Sequence, residues 1–135
     1  DLSFDKLPWA DGFFDAVPAW QLVEHLENPH NYIREVQRVL KPGGIFIVST
    51  PNIQHIFNRI FFLRKGDMPR WRKKNNHIAL FPKGVFEKTF LKYFQLVETI
   101  YSDGEFPYRL LSKIKMPNNK WFGRDVVWVF RNLKS

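Results

Sequence analysis

Glu24 and His25 follow an apolar segment directly, and they carry the plainest chemistry in the 135-residue chain. An imidazole changes charge near neutral pH, so His25 can accept or return a proton, and Glu24 sets a carboxylate beside it. A packed, pocket-lining histidine is the alternative. Further along, residues 64–74 (RKGDMPRWRKK) hold six basic residues and one acid. Guanidinium groups grip phosphate through paired hydrogen bonds. Arg64, Arg70 and Arg72, with Trp71 and the nearby His77, are therefore candidates for binding an anionic group, against the usual fate of a charge run as a solvated loop.

The net charge of +8 favours polyanionic partners through long-range attraction, and much of it belongs to this one loop. With 44% hydrophobic residues and 17% aromatic, the chain can bury a core and reads as one domain, residues 1–135, with residues 64–76 as a basic insertion or lid. The absence of cysteine excludes disulfide partners and thiolate metal sites. No apolar run approaches the roughly 20 residues that span a bilayer, and no basic-apolar leader opens the chain. These features point to a cytoplasmic protein, with membrane-surface contact through the basic loop as an open possibility.

The elements that must position these groups alternate. Phe14–Trp20 is mostly apolar with little alternation, as in a strand covered on both faces. Asn28-Pro29 is a helix start, and Tyr32, Ile33, Val36, Val39 and Leu40 follow at helical spacing. Lys41-Pro42-Gly43-Gly44 stops that helix, and Ile45–Thr50 reads as a second buried strand, which gives a right-handed strand-helix-strand unit. A helix with Ile53, Ile56, Phe57, Ile60, Phe61 and Leu63 as its apolar stripe runs into the basic loop. Another is predicted over residues 83–94, and Gln95–Tyr101 and Asp125–Arg131 close the sheet. His30 and His55 read as helix-surface residues and Glu27 as a solvated carboxylate. A doubly wound sheet opens on a glycine turn that feeds a helix N-terminus. None of the seven glycines makes such a turn, so the chain reads as entering a fold part-way.

Residues 7–52 contain, in order, Leu-Pro-Trp, Asp-Gly-Phe-Phe-Asp, Glu-His-Leu, Leu-Lys-Pro-Gly-Gly and Thr-Pro-Asn. This succession resembles the later half of class I, Rossmann-like, S-adenosylmethionine-dependent methyltransferases of the type 11/12 group. Asn76-His77-Ile78 and Gly123-Arg124-Asp125 extend a weaker likeness toward the C-terminus. The resemblance implies an α/β fold: a partial sheet of strands four to seven in the order 4-5-7-6, the last antiparallel, with flanking helices. It also implies that the first three strands, with the glycine turn and the ribose-binding acid, are not in these residues.

The same resemblance assigns site residues. Asp1 and Leu2 would touch the adenine of S-adenosylmethionine, unless Asp1 is simply a frayed terminus. Trp20 and Gln21 would line its methionine portion, with core packing the alternative for Trp20. His25, with Glu24, would face the acceptor and act in catalysis. Some relatives hold a divalent ion with Glu-x-x-Glu-His and a distal ligand. Here Gln21 replaces the first glutamate, so no metal is expected, and Glu24, His25 and His77 remain the alternative set. The complete enzyme would methylate an unidentified acceptor, O-methylation being favoured, and an anionic or lipid-linked acceptor would suit the basic loop. The residues present alone would have little activity. Two other functions remain open: a non-catalytic basic module for nucleic acid or anionic membrane, and a degenerate methyltransferase-like subunit. Pro18 belongs on an edge strand or at a bulge. An unpaired fourth strand would favour self-association as a homo-oligomer.

Overall fold

A computed structural model describes residues 1–102, 104–105 and 115–134. Four strands form one mixed sheet in the order β1-β2-β6-β3: β1 (Phe14–Trp20), β2 (Leu40–Pro51), β3 (Phe94–Tyr101) and β6 (Asp125–Asn132). Between β3 and β6, Gly104–Glu105 and Lys115–Met116 pair as β4 and β5. β1 runs parallel to β2, whereas β6 is antiparallel to both β2 and β3. This is the expected order 4-5-7-6 with an antiparallel last strand. Tyr108 and Arg109, from the aromatic stretch before Trp121, lie outside the described residues.

The helix α1 (Pro29–Val39) starts where the sequence places it: the Asn31 N–H donates to the Asn28 side-chain oxygen, and Pro29 occupies the first turn. Its stripe of Tyr32, Ile33, Val36 and Val39 is buried against the sheet. The glycine pair after it lies within β2 and forms a bulge, at which the register jumps from Phe14↔Leu40 to Ala16↔Ile45. Gly43 adopts φ 71°, a left-handed conformation that glycine takes at little steric cost.

The core sits between the sheet and the helices. Phe46 of β2 is fully buried and meets Phe90, Phe94 and Phe130 at centroid distances of 6.5, 5.2 and 6.2 Å. Phe90 stacks on Phe130 at 5.2 Å. The predicted helix over residues 83–94 is shorter than its periodicity implied. α3 spans Lys83–Thr89, and Phe94 is the first residue of β3. Phe90 and Phe94 both reach the core, from the end of a helix and the start of a strand, so their spacing mimics one helical face.

A second difference concerns α2 (Ile56–Lys65), for which an inward apolar stripe was expected. None of its residues is buried, and Ile60 and Leu63 are exposed. His55, expected on a helix surface, is its N-cap: its Nδ1 accepts from the Phe57 N–H at 3.2 Å. β1 is an edge strand, a position that tolerates Pro18, and its open side is the condition on which the expected self-association rests.

Asn52, almost fully buried, joins the end of β2 to the approach of β6. Its side-chain amide donates to the Gly123 and Lys120 carbonyls at 2.7 and 3.0 Å, and its own N–H donates to the Arg124 carbonyl. Glycine is required at position 123, because a Cβ there would lie 2.7 Å from the Tyr101 Cβ and 2.9 Å from the Asn119 carbonyl oxygen. Gly123→Ala is expected to lower the unfolding free energy by about 1–3 kcal/mol. Gly84→Ala, where an added methyl would meet nothing within 4 Å, should leave stability unchanged or slightly raised. Urea midpoints of the two variants check this contrast.

Candidate active site

β1 ends at Trp20, whose indole is 66% exposed, so it lies on the surface at the carboxyl end of the strand and not in the core. Gln21 then takes φ 46°, an uncommon conformation for a residue with a side chain. Ser49 of β2 holds it there. The Gln21 N–H donates to the Ser49 carbonyl at 3.1 Å and the Ser49 hydroxyl at 3.0 Å, and Gln21 Nε2 donates to the same hydroxyl at 3.2 Å. Buried Val23 and Leu26 anchor the following 3-10 turn, Val23–His25. The turn thus leaves the strand end in one direction.

Within that turn Glu24 is fully buried, and neither carboxylate oxygen has a hydrogen-bond partner among the described residues. Its carbonyl accepts from the Ile78 and Ala79 N–H groups at 2.8 and 3.0 Å, which brings the segment that carries His77 beside it. His25 and His77 meet edge to face at 4.5 Å. His25 Nδ1 lies 3.1 Å from the Asn76 carbonyl oxygen. A carbonyl can only accept, so this bond assigns the proton of neutral His25 to Nδ1 and leaves the lone pair on Nε2. Burial raises the Glu24 carboxyl above its ordinary range. Burial, then the nearby charges of His25 and Arg70, lowers His77. One donor atom from each of Glu24, His25 and His77 lies within 4.8 Å of the others.

A cavity of about 50 Å³ adjoins this cluster, lined by Glu24, Thr50, Asn52, Trp71, Tyr101 and Trp128 among others. Thr50, Tyr101 and Trp128 escaped the sequence reading because distant strands bring them together. The local signal was the Thr-Pro-Asn at the end of β2. The residues expected to bind an anionic acceptor divide into two groups. Trp71 reaches the cluster, donating from Nε1 to the Ala79 carbonyl at 3.0 Å, with its ring 5.2 Å from His77. Arg70 is committed to Asp125 at 2.7 Å. Arg72 lies over the Phe61 ring at 4.5 Å, and Arg64 is exposed in the last turn of α2. At the N-terminus, Asp1 is exposed and its carboxylate accepts from the Ser3 N–H, which forms a local turn. Leu2 lines a separate apolar cavity of about 260 Å³ with Pro18, Tyr32 and Val39.

A mixed sheet whose chemistry gathers at the carboxyl ends of its parallel strands is of the Rossmann-like class. A profile described as "Methyltransferase domain" matches residues 1–48. The chain is 47% identical over 64 residues to a protein of Mycolicibacterium smegmatis named "Probable S-adenosylmethionine-dependent methyltransferase", an overlap of 47% of this chain and 23% of that one. It is 34% identical over 64 residues to a ubiquinone biosynthesis O-methyltransferase of Ruegeria pomeroyi, 47% of this chain and 26% of that one. Its fold is similar to that of an S-adenosylmethionine-dependent methyltransferase from Thermotoga maritima, with TM-score 0.64 and 21% identity over 96% of this chain and 60% of that one. Over residues 1–48 in sequence, and in fold, the chain is similar to class I S-adenosylmethionine-dependent methyltransferases. The match to each of these curated relatives spans about a quarter of the relative's length.

The residues present fit this cofactor in part. Trp20 and the Ser49-held Gln21 lie at the strand end, where the resemblance expects one wall of its site, but no glycine turn among the described residues follows a strand to seat its nucleoside.

The Glu24 shift has a definite consequence. A carboxyl raised by burial binds its proton more tightly folded than unfolded, so its contribution to stability is largest below its ordinary value of 4.5 and declines as pH rises above it. In chelator-treated protein, Glu24→Gln should remove that decline. Unfolding free energies of parent and variant, measured from pH 4 to 8, are expected to diverge in the variant's favour as pH rises. Parallel curves would contradict the assignment.

Proposed function

We propose that the complete protein transfers a methyl group from S-adenosylmethionine to an oxygen or comparable nucleophilic atom of its acceptor, with His25 Nε2 as the group that takes the acceptor's proton. The observation that carries this reading is the His25 Nδ1 contact with the Asn76 carbonyl, which leaves Nε2 free as a base at the end of β1. When bound, the cofactor supplies a methyl carbon activated by a sulfonium leaving group. The protein then needs chiefly to align the acceptor and exclude water. Trp71 and His77 wall this side of the site, and burial helps keep His77 neutral, so it adds no competing charge beside His25. The R. pomeroyi relative's name supports oxygen as the acceptor atom.

In the full-length protein, with transfer of labelled methyl to lipid, nucleic-acid and small-molecule extracts as the assay, His25→Ala is expected to lower kcat by about 10²–10⁴-fold. KM for S-adenosylmethionine should change little. An unchanged kcat would remove His25 as the base.

A second reading is favoured by the unpartnered oxygens of Glu24: a divalent cation held by Glu24, His25 and His77 at the acceptor side. Gln21 is turned to Ser49 and is not needed as a ligand. One carboxylate with two imidazoles suits zinc or a similar transition ion better than magnesium. Thermal melts with zinc, manganese and magnesium test it. The expected result is stabilisation by zinc that His77→Ala abolishes, and equal melts with and without ions would reject it.

A further inference from the structure

The small cavity beside the Glu24 turn combines two properties that proton transfer at His25 does not use. Of its lining residues only Glu24 carries a carboxylate, and no lysine, arginine or histidine is among them. The Glu24 side chain is fully buried, and among the described residues neither of its oxygens has a partner. A buried carboxylate left alone is costly when ionised, and a cation placed against it offsets that cost. The rest of the wall is largely aromatic: Trp71, Phe81, Tyr101 and Trp128. Two of these rings are held in place. Trp71 Nε1 donates to the Ala79 carbonyl at 3.0 Å, and Trp128 packs on Phe86 with 4.7 Å between ring centroids. Asn52, also in the wall, spends its side-chain amide on the Gly123 and Lys120 carbonyls.

We infer that this cavity binds a small alkylammonium group, with Glu24 as its counter-ion and Trp71, Tyr101 and Trp128 as its walls. Aromatic rings attract an organic cation through their negative faces, and the desolvated carboxylate supplies the opposite charge. A divalent ion suits this space less, because it takes several oxygen or nitrogen ligands, and His25 and His77 are not in the wall. An anion would meet Glu24, while Arg70, which could have received it, is engaged by Asp125 at 2.7 Å. Size limits the group further. At about 10–15 Å³ for each water-sized atom, a cavity of about 50 Å³ holds about four, as many as the non-hydrogen atoms of trimethylammonium. An ammonium nitrogen has no lone pair with which to attack a methyl carbon. Resting on the methyl-transfer reading, the group held here is therefore a far end of the acceptor and not its reacting atom, and Glu24 selects an acceptor that bears an amine. The binding itself requires neither cofactor nor turnover.

Titration of the full-length protein with trimethylammonium chloride, in the presence of a chelator and followed by NMR at the tryptophan indole N–H signals, tests the site. Saturable shifts of the Trp71 and Trp128 signals are expected. tert-Butanol, similar in size but neutral, should move them far less, a comparison that needs no variant. Glu24→Gln keeps the shape of the side chain and should weaken trimethylammonium binding about tenfold or more, and Trp71→Leu about fivefold. No saturable shift, equal shifts with tert-butanol, or an unchanged affinity in Glu24→Gln would each overturn the site. The acceptor's class is read separately in the labelled-methyl assay, where labelled product is expected to be retained by a cation-exchange resin. Label confined to unretained products would overturn the selection of an amine-bearing acceptor alone, and a lack of any transfer would count against the methyl-transfer reading while the titration still decides the site.

Discussion

The structure depends on β2 being paired along both sides. β1 bonds it in parallel and β6 in antiparallel sense, and its Phe46 face and carboxyl end meet α1, β3 and the site turn. The two sides impose different conditions. The parallel partner requires a crossover, which α1 supplies, and the crossover must end in a turn tight enough to start β2 at once. β2 begins at Leu40, the residue after α1, and the Gly43-Gly44 bulge inside it lets β1 pack close: a Cβ on Gly44 would lie 3.0 Å from the Asp15 and Lys41 carbonyl oxygens. The antiparallel partner arrives from far along the chain, and Asn52 fixes where it may begin by bonding the Gly123 and Lys120 carbonyls. Phe46 then joins α1, β3 and β6 through Tyr32, Phe94 and Phe130.

The carboxyl end of β2 is where stability yields to chemistry. Ser49 spends its hydroxyl and carbonyl on Gln21, forcing a turn that no local preference favours. That turn buries Glu24 with neither oxygen bonded, an arrangement that is costly for an ionised carboxyl. The cost falls if the group keeps its proton or meets a cation, so the same burial that raises its proton affinity also suits it to a ligand. A purely structural turn would have been cheaper with an apolar residue at position 24, since Val23 and Leu26 already provide the anchors.

Elements governed by local rules could be read from the sequence. The Asn28-Pro29 cap, the α1 stripe and the apolar β1 and β2 runs predicted their elements to within a few residues, because capping and periodicity act over one or two turns. The strand order was legible only through resemblance, as no local pattern specifies that β6 inserts between β2 and β3. Two errors share one cause. Phe90 and Phe94 sit four apart, as on a helix, yet lie on different elements facing one core. Ile60 and Leu63 keep a helical period, yet face outward. Periodicity reports that side chains share a direction and says nothing about what lies there. At the site, Glu24 and His25 were visible as a pair, but their meeting with His77 depends on Ile78 and Ala79 N–H groups bonding the Glu24 carbonyl across more than fifty residues of chain.

The same limit explains why the basic loop had to be divided. As a string, residues 64–74 look like one feature, and a single anionic acceptor seems to account for all of it. In the fold, Arg70 neutralises Asp125 and Arg72 covers Phe61, so these two cations are engaged within the protein. Trp71 turns inward toward His77, whereas Arg64, Lys65, Lys73 and Lys74 remain exposed. One segment thus serves two surfaces, and its 3-10 turn at Pro69–Trp71 is the pivot that separates them. That turn directs Trp71 toward His77 while leaving the cations in solvent, so a string of uniform composition divides between the site and the surface.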